Sequence, residues 1–119
     1  MKIACVAVIR NLNDEILLLK RNRSPFGYGL PGGKLEEGET ILNCVIREVR
    51  EETGIGIISA TLRKTSQSAE GLYQVIIYEC IPVSTDVTLS SEHDEFIWIS
   101  EDKLPTLDLA GNTSIFLKF

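Results

Sequence analysis

The chain has 119 residues and a mass of 13.2 kDa, long enough for one compact domain and too short for two. With 44% hydrophobic and 24% charged residues it is neither a disordered chain nor a fibrous one. Twelve basic against seventeen acidic residues leave a net charge of -5, which argues against a nucleic-acid partner held by charge alone but leaves room for a local phosphate site.

Residues 3–9 (IACVAVI) form the longest apolar run, far short of the ~20 residues that cross a bilayer, so no membrane partner is expected. Arg10 closes that run without the small-residue cleavage site of a signal peptide. Three cysteines, Cys5, Cys44 and Cys80, form no even disulfide set and lack metal-ligand spacing. Buried, inert thiols in a reducing cytoplasm are the expectation.

In chain order, residues 3–9 and 16–19 read as strands, and the turn-forming Asn-Leu-Asn-Asp between them suits an antiparallel hairpin. Residues 22–33 carry two prolines and four glycines and read as mostly loop. Thr40 stands where an N-cap belongs, residues 41–53 show helical periodicity, and Gly54 follows at the left-handed C-terminal position. Residues 55–63, 72–83 and 96–99 read as further strands. Ser100 opens a short helical turn stopped at Pro105, and residues 113–119 read as a closing helix. Strands on both sides of one helix favour an α+β domain, with helices packed on a mixed sheet.

The helix carries the chemistry. At about 100° per residue, Ile41, Leu42, Val45, Ile46 and Val49 fill an arc about 140° wide that faces a core. Glu48, Glu51 and Glu52 converge on the adjoining arc, with Glu52 inside the edge of the apolar stripe. Like charges at that spacing repel, and Glu51 and Glu52 also oppose the negative end of the helix dipole. A solvated acidic face balanced by Arg47 and Arg50 is the plain alternative. A bound cation answers all three penalties at once, and an all-oxygen donor set suits Mg²⁺ or Mn²⁺. The preceding Pro31-Gly32-Gly33 reads either as a tight turn or as backbone that approaches a metal or phosphate closely.

These residues, in this order, resemble the Nudix hydrolase family. Residues 33–55, GKLEEGETILNCVIREVREETGI, match its pattern of Gly, five residues, Glu, seven residues, Arg-Glu-aliphatic-x-Glu-Glu-x-Gly-aliphatic at every specified position. LPGGK before the box and EHDEFIWIS after it extend the similarity. The resemblance implies an α/β/α sandwich around a mixed sheet, with the box as loop–helix–loop. It also implies hydrolysis, with Mg²⁺ or Mn²⁺, of a nucleoside diphosphate linked to another moiety. By the same resemblance, Glu48, Glu51 and Glu52 with the main-chain carbonyl of Gly32 are the metal ligands. Arg47 orients a glutamate, with Glu51 its partner by i to i+4 spacing. Glu39 braces the loop against the helix, and Gly33 and Gly54 occupy turns. The general base is a box glutamate or one from a distant loop, for which Glu92 and Glu95 are the candidates.

For the substrate, Lys20, Arg21, Arg23 and Lys34 are candidate phosphate contacts, and Phe26 and Tyr28 are candidates for base stacking or for loop packing. Tyr73 lies near where dinucleoside-polyphosphate members of the family carry a tyrosine, and also suits a cross-strand position. The proline expected downstream for ADP-ribose is absent around Glu70. A small nucleoside triphosphate, cleaved to a monophosphate and pyrophosphate, is therefore the first expectation. A dinucleoside polyphosphate, a nucleotide sugar or a non-catalytic sensing role are the alternatives. A homodimer is left open.

Overall fold

The computed structural model describes residues 2–68 and 71–110. Strand β1 (Lys2–Ile9) is followed by β2 (Glu15–Arg21) and two three-residue strands, β3 (Gly27–Gly29) and β4 (Gly32–Lys34). Helix α1 (Ile41–Thr53) comes next, then β5 (Ile57–Gln67), β6 (Tyr73–Pro82), β7 (His93–Ser100) and a 3-10 helix (Glu101–Thr106). One sheet has the order β4-β1-β6-β5 and is mixed, because β1 and β6 run parallel and the other pairs antiparallel. The second, β3-β2-β7, is antiparallel throughout. The chain is thus an α+β domain with a mixed sheet, as its helix and strand pattern predicts.

The expected hairpin of residues 3–9 and 16–19 does not form. The turn itself is present: Asn11 accepts the backbone N–H groups of Asn13 and Glu15 on its side chain, and Arg10 bridges Ile16. Beyond that bridge the strands part into different sheets. The reason lies in their faces. Cys5, Ala7 and Ile9 of β1 join Leu17 and Leu19 of β2 in one core, while Val8 joins Ile16 and Leu18 in the other. Strands buried on both faces carry no polar face to fix a partner. The glycine-rich stretch, expected as loop, also contributes β3 and β4 as short edge strands.

Helix α1 packs on the first core through Cys44, Val45 and Val49, each burial contributing about 1–3 kcal/mol. The second core is closed by Leu104, Leu107 and Leu109. Thr40 caps α1 by accepting the Asn43 N–H at 3.1 Å, and Gly54 ends it at φ 74. The 3-10 helix runs through Pro105 to Thr106 rather than stopping before it. The expected closing helix at 113–119 lies outside the described residues. Cys5, Cys44 and Cys80 are buried free thiols, and burial raises the pKa of each.

Candidate active site

Strand β4 and helix α1 bring the glycine pair and the glutamates together. Gly33 lies so close to Glu48 that an added Cβ would stand 2.6 Å from both carboxylate oxygens. Any side chain there would push Glu48 aside, so the glycine is required by close approach. Gly32 donates its N–H to Glu52 Oε1 at 2.9 Å, which ties the C-terminal turn of α1 to β4.

Arg47 organises the other carboxylates. Its guanidinium donates to Glu39 at 2.7 Å, Glu48 at 2.8 Å and Glu51 at 3.2 Å, and to the Lys34 carbonyl at 3.2 Å. The i to i+4 partner Glu51 thus makes the longest of these three carboxylate hydrogen bonds, and the still more exposed Glu36 lies farther off at 3.6 Å. Glu39 also accepts the Glu36 N–H at 3.2 Å, fastening the loop before the helix.

The environments push these acids apart. Burial forces the Glu52 carboxyl up to about 8, against the stabilising Gly32 N–H. Burial also raises Glu48, although Arg47 opposes it. Arg47 holds Glu39 below the usual carboxylate range. One arginine thus serves Glu39, Glu48 and Glu51, none of them fully buried, while the buried Glu52 accepts from the Gly32 N–H instead.

Glu48, Glu51 and Glu52 share an open cleft of about 840 Å³ with Gly32, Gly33 and Lys34. Arg21, Arg23, Ser24 and Pro25 form one further side, and Ser90, Ser91 and Glu92 another. Arg21 Nε is buried without a hydrogen-bond partner among the described residues, and its Nη2 donates only at 3.4 Å to the Ser24 carbonyl. Arg23 pairs with Glu92 at 2.8 Å.

Three candidates stand elsewhere. Glu95 pairs with Lys20 at 3.2 Å and accepts the Tyr28 hydroxyl at 3.1 Å, outside the cleft lining. Tyr28 packs on the second core, and Phe26 is exposed away from the glutamates. His93 is buried, its pKa is lowered by that burial, and Ser90 Oγ lies 3.4 Å from its Nδ1.

Sequence reasoning missed Ser90, Ser91 and the pins that hold their loop. Asn22 donates to the Ser91 carbonyl at 2.8 Å, and the Thr88 and Ser90 N–H groups bond the carbonyls of Thr53 and Glu52. The run Thr88–Glu92 carries serines beside acids, the one hint available, but such runs are usually solvated turns.

Among the described residues, no three His, Cys, Asp or Glu side chains are gathered as a ready metal cage. Glu48 and Glu51 are turned to Arg47 and Glu52 to the Gly32 N–H. The donor chemistry fits a hard divalent cation even so. The donors are all oxygens, and two are carboxylates whose charge burial disfavours and a cation would favour.

Comparison with known proteins agrees with this geometry. The NUDIX domain family model matches residues 1–118. The chain is 31% identical to a nucleoside triphosphatase NudI of Enterobacter sp. (strain 638), over 91% of this chain and 88% of that protein. A MutT protein of Methanosarcina mazei Go1 superposes with a TM-score of 0.81 at 31% identity, covering 98% of this chain and 88% of that one. A MutT Nudix hydrolase of Burkholderia pseudomallei gives 0.79 at 31% identity, over 98% and 95%. A family match along nearly the whole chain, joined to an intact box folded as loop–helix–loop, settles the assignment: the chain belongs to the NUDIX family and is a Nudix-type pyrophosphohydrolase.

Proposed function

We propose that the protein hydrolyses a nucleoside triphosphate to a nucleoside monophosphate and pyrophosphate, with Mg²⁺ or Mn²⁺ in the cleft. The observation that carries this is the division of the cleft: half-buried Glu48 and buried Glu52 on the helix side, and an under-bonded Arg21 among the residues that line it with them. That pairing suits a phosphate chain bridged by cations. The nucleoside triphosphatase name of the NudI relative supports the substrate class.

In this reading Glu48, Glu51, Glu52 and the Gly32 carbonyl hold the metal. When bound, it neutralises phosphate charge and lowers the pKa of an attacking water. Arg47 orients Glu48 and Glu51, and Glu39 holds Arg47 in place. Arg21, Arg23 and Lys34 hold phosphate oxygens. Water adds to phosphorus, the anhydride P–O bond breaks, and a carboxylate takes the water proton. Glu92 serves as that base better than Glu95, because Glu92 lines the cleft and Glu95 is committed to Lys20 and Tyr28. Residue roles here follow the family resemblance together with these positions.

An ADP-ribose pyrophosphatase of Methanocaldococcus jannaschii is 49% identical, but over only 36% of this chain and 27% of that protein. That short match favours the box and says little about substrate. The substrate is a small molecule and the expected compartment the cytoplasm, where the buried thiols stay reduced; no helix is long and apolar enough to cross a membrane among the described residues. Titrating Mg²⁺ and Mn²⁺ over a nucleotide panel, with pyrophosphate and phosphate release measured separately, tests the proposal. Metal-dependent pyrophosphate release is expected, with an alkaline optimum because acid protonates ligands and nucleophile alike. Turnover that survives chelation contradicts the metal role, and nucleotide binding without turnover indicates a sensor.

A further inference from the structure

The β2–β7 ladder slips by one residue near its end: Lys20 faces Glu95, whereas Arg21 faces His93. Asp94 is the extra residue of this bulge, a device that re-aims side chains beside active sites. The slip brings Asn22 opposite Glu92, and the Asn22 N–H bonds the Glu92 carbonyl at 3.1 Å. The Asn22 side-chain amide donates to the Ser91 carbonyl at 2.8 Å and to Asp94 Oδ1 at 3.1 Å. One residue therefore holds Ser91, Glu92 and Asp94 together. Arg21 and Arg23 on either side of it line the cleft, while Asn22 stands outside the lining.

Glu92 has a second anchor, the 2.8 Å ion pair with Arg23. Both side chains are open to solvent, 61% exposed for Arg23 and 43% for Glu92, so the pair is weak and readily exchanged. A phosphate oxygen competes for the same guanidinium, and arginine–phosphate contacts can be bidentate. When Arg23 turns to the substrate, the Glu92 side chain loses that anchor. The Asn22 bonds go to the main chain and to Asp94, so they persist. At the other end of the segment the Ser90 N–H bonds the Glu52 carbonyl at 3.3 Å, which leaves Glu92 slung between α1 and Asn22.

We propose that Asn22 is a positioning residue, a clamp that keeps Glu92 at the rim of the cleft after Arg23 has left it for a substrate phosphate. Asn22 acts through Glu92 and touches neither substrate nor metal. The proposal rests on the reading of Glu92 as the base and adds what holds that base in the loaded enzyme.

The test measures kcat and KM separately for wild type, Asn22→Ala, Asn22→Asp, Glu92→Gln and the double variant Asn22→Ala/Glu92→Gln. Asn22→Ala should lower kcat about tenfold and leave KM within about twofold, the scale of two lost hydrogen bonds. Asn22→Asp turns an acceptor toward the Ser91 carbonyl and should lower kcat at least as far. In the Glu92→Gln background, Asn22→Ala should lower kcat by less than about twofold more, because the group it positions is gone. A merely structural Asn22 gives equal losses in both backgrounds. That result overturns the proposal, as does an unchanged kcat or a loss confined to KM. Should Glu92→Gln keep the wild-type kcat, or wild type hydrolyse no nucleotide, the base reading fails instead, and amide hydrogen exchange decides the clamp alone. The Ser90 and His93 amides, both hydrogen-bonded in the clamped segment, should exchange about tenfold faster in Asn22→Ala, and unchanged exchange overturns the clamp.

Discussion

Two arginine networks sit at different places in this fold, and their charge balance differs. Arg10 and Arg63 share Glu79 and Glu101, with contacts of 2.9–3.1 Å from strands β5 and β6 to the 3-10 helix. Two guanidinium groups there meet two carboxylates, with exposed Asp14 at 3.4 Å from Arg10 as an extra. Among the described residues, Arg47 by contrast serves Glu36, Glu39, Glu48 and Glu51 alone, and Glu52 is buried beside them with only the Gly32 N–H as its hydrogen-bond donor. The balanced network closes the ends of strands. The unbalanced one retains negative charge at the floor of a cleft, which costs stability and has a use only if cations arrive.

Neutralising each side in turn should separate the two roles. Glu48→Gln, Glu51→Gln and Glu52→Gln should each lower kcat by ~10²-fold or more while leaving the fold intact, measured by steady-state turnover and circular dichroism. Arg63→Met should do the reverse. Its side chain is only 10% exposed, and removing it leaves the partly exposed Glu79 and Glu101, among the described residues, to Arg10 alone, which should cost about 1–2 kcal/mol in chemical denaturation, with kcat within twofold of wild type. Loss of turnover without loss of stability in Arg63→Met would break the distinction.

Within the cleft, Glu92→Gln should lower kcat ~10²-fold, the scale of a general base, and Glu95→Gln should change it far less. The reverse order would place the base on the Lys20–Tyr28 side. A smaller effect concerns pH. The folded protein holds the Glu52 proton to about 8, whereas the unfolded chain releases it in the ordinary carboxylate range. The stability this contributes is complete below that range and is lost as pH rises through about 8. Metal-free protein should therefore lose stability between about pH 5 and 9, and Glu52→Gln should show a flatter profile in thermal melts.

How much of this was readable in the sequence depended on how local each feature is. Helix α1 and both its caps were legible because periodicity, Thr40 and Gly54 act within a few residues. The parting of β1 from β2 was not, because the parallel partner β6 is distant and both strands are apolar on both faces. The convergence of Glu48, Glu51 and Glu52 followed from helical spacing, yet the reach of Arg47 to Glu39 needed the fold of the loop. Glu92 and Glu95 looked equivalent until the register of β7 on β2 set Glu95 opposite Lys20.

The central claim is that α1 buries Glu52 where its charge is disfavoured, at the expense of stability once that charge forms, for the sake of a cation. Its most direct test is the melting of wild type and Glu52→Gln at pH 9, in chelator and again in millimolar Mg²⁺. Without metal the variant should be the more stable, by about 1 kcal/mol, since it loses a buried charge and keeps an oxygen for the Gly32 N–H. With Mg²⁺ the order should narrow or reverse, because only wild type gains fully from binding. A metal-free Glu52→Gln protein clearly less stable than wild type would contradict the account and make Glu52 a structural carboxylate.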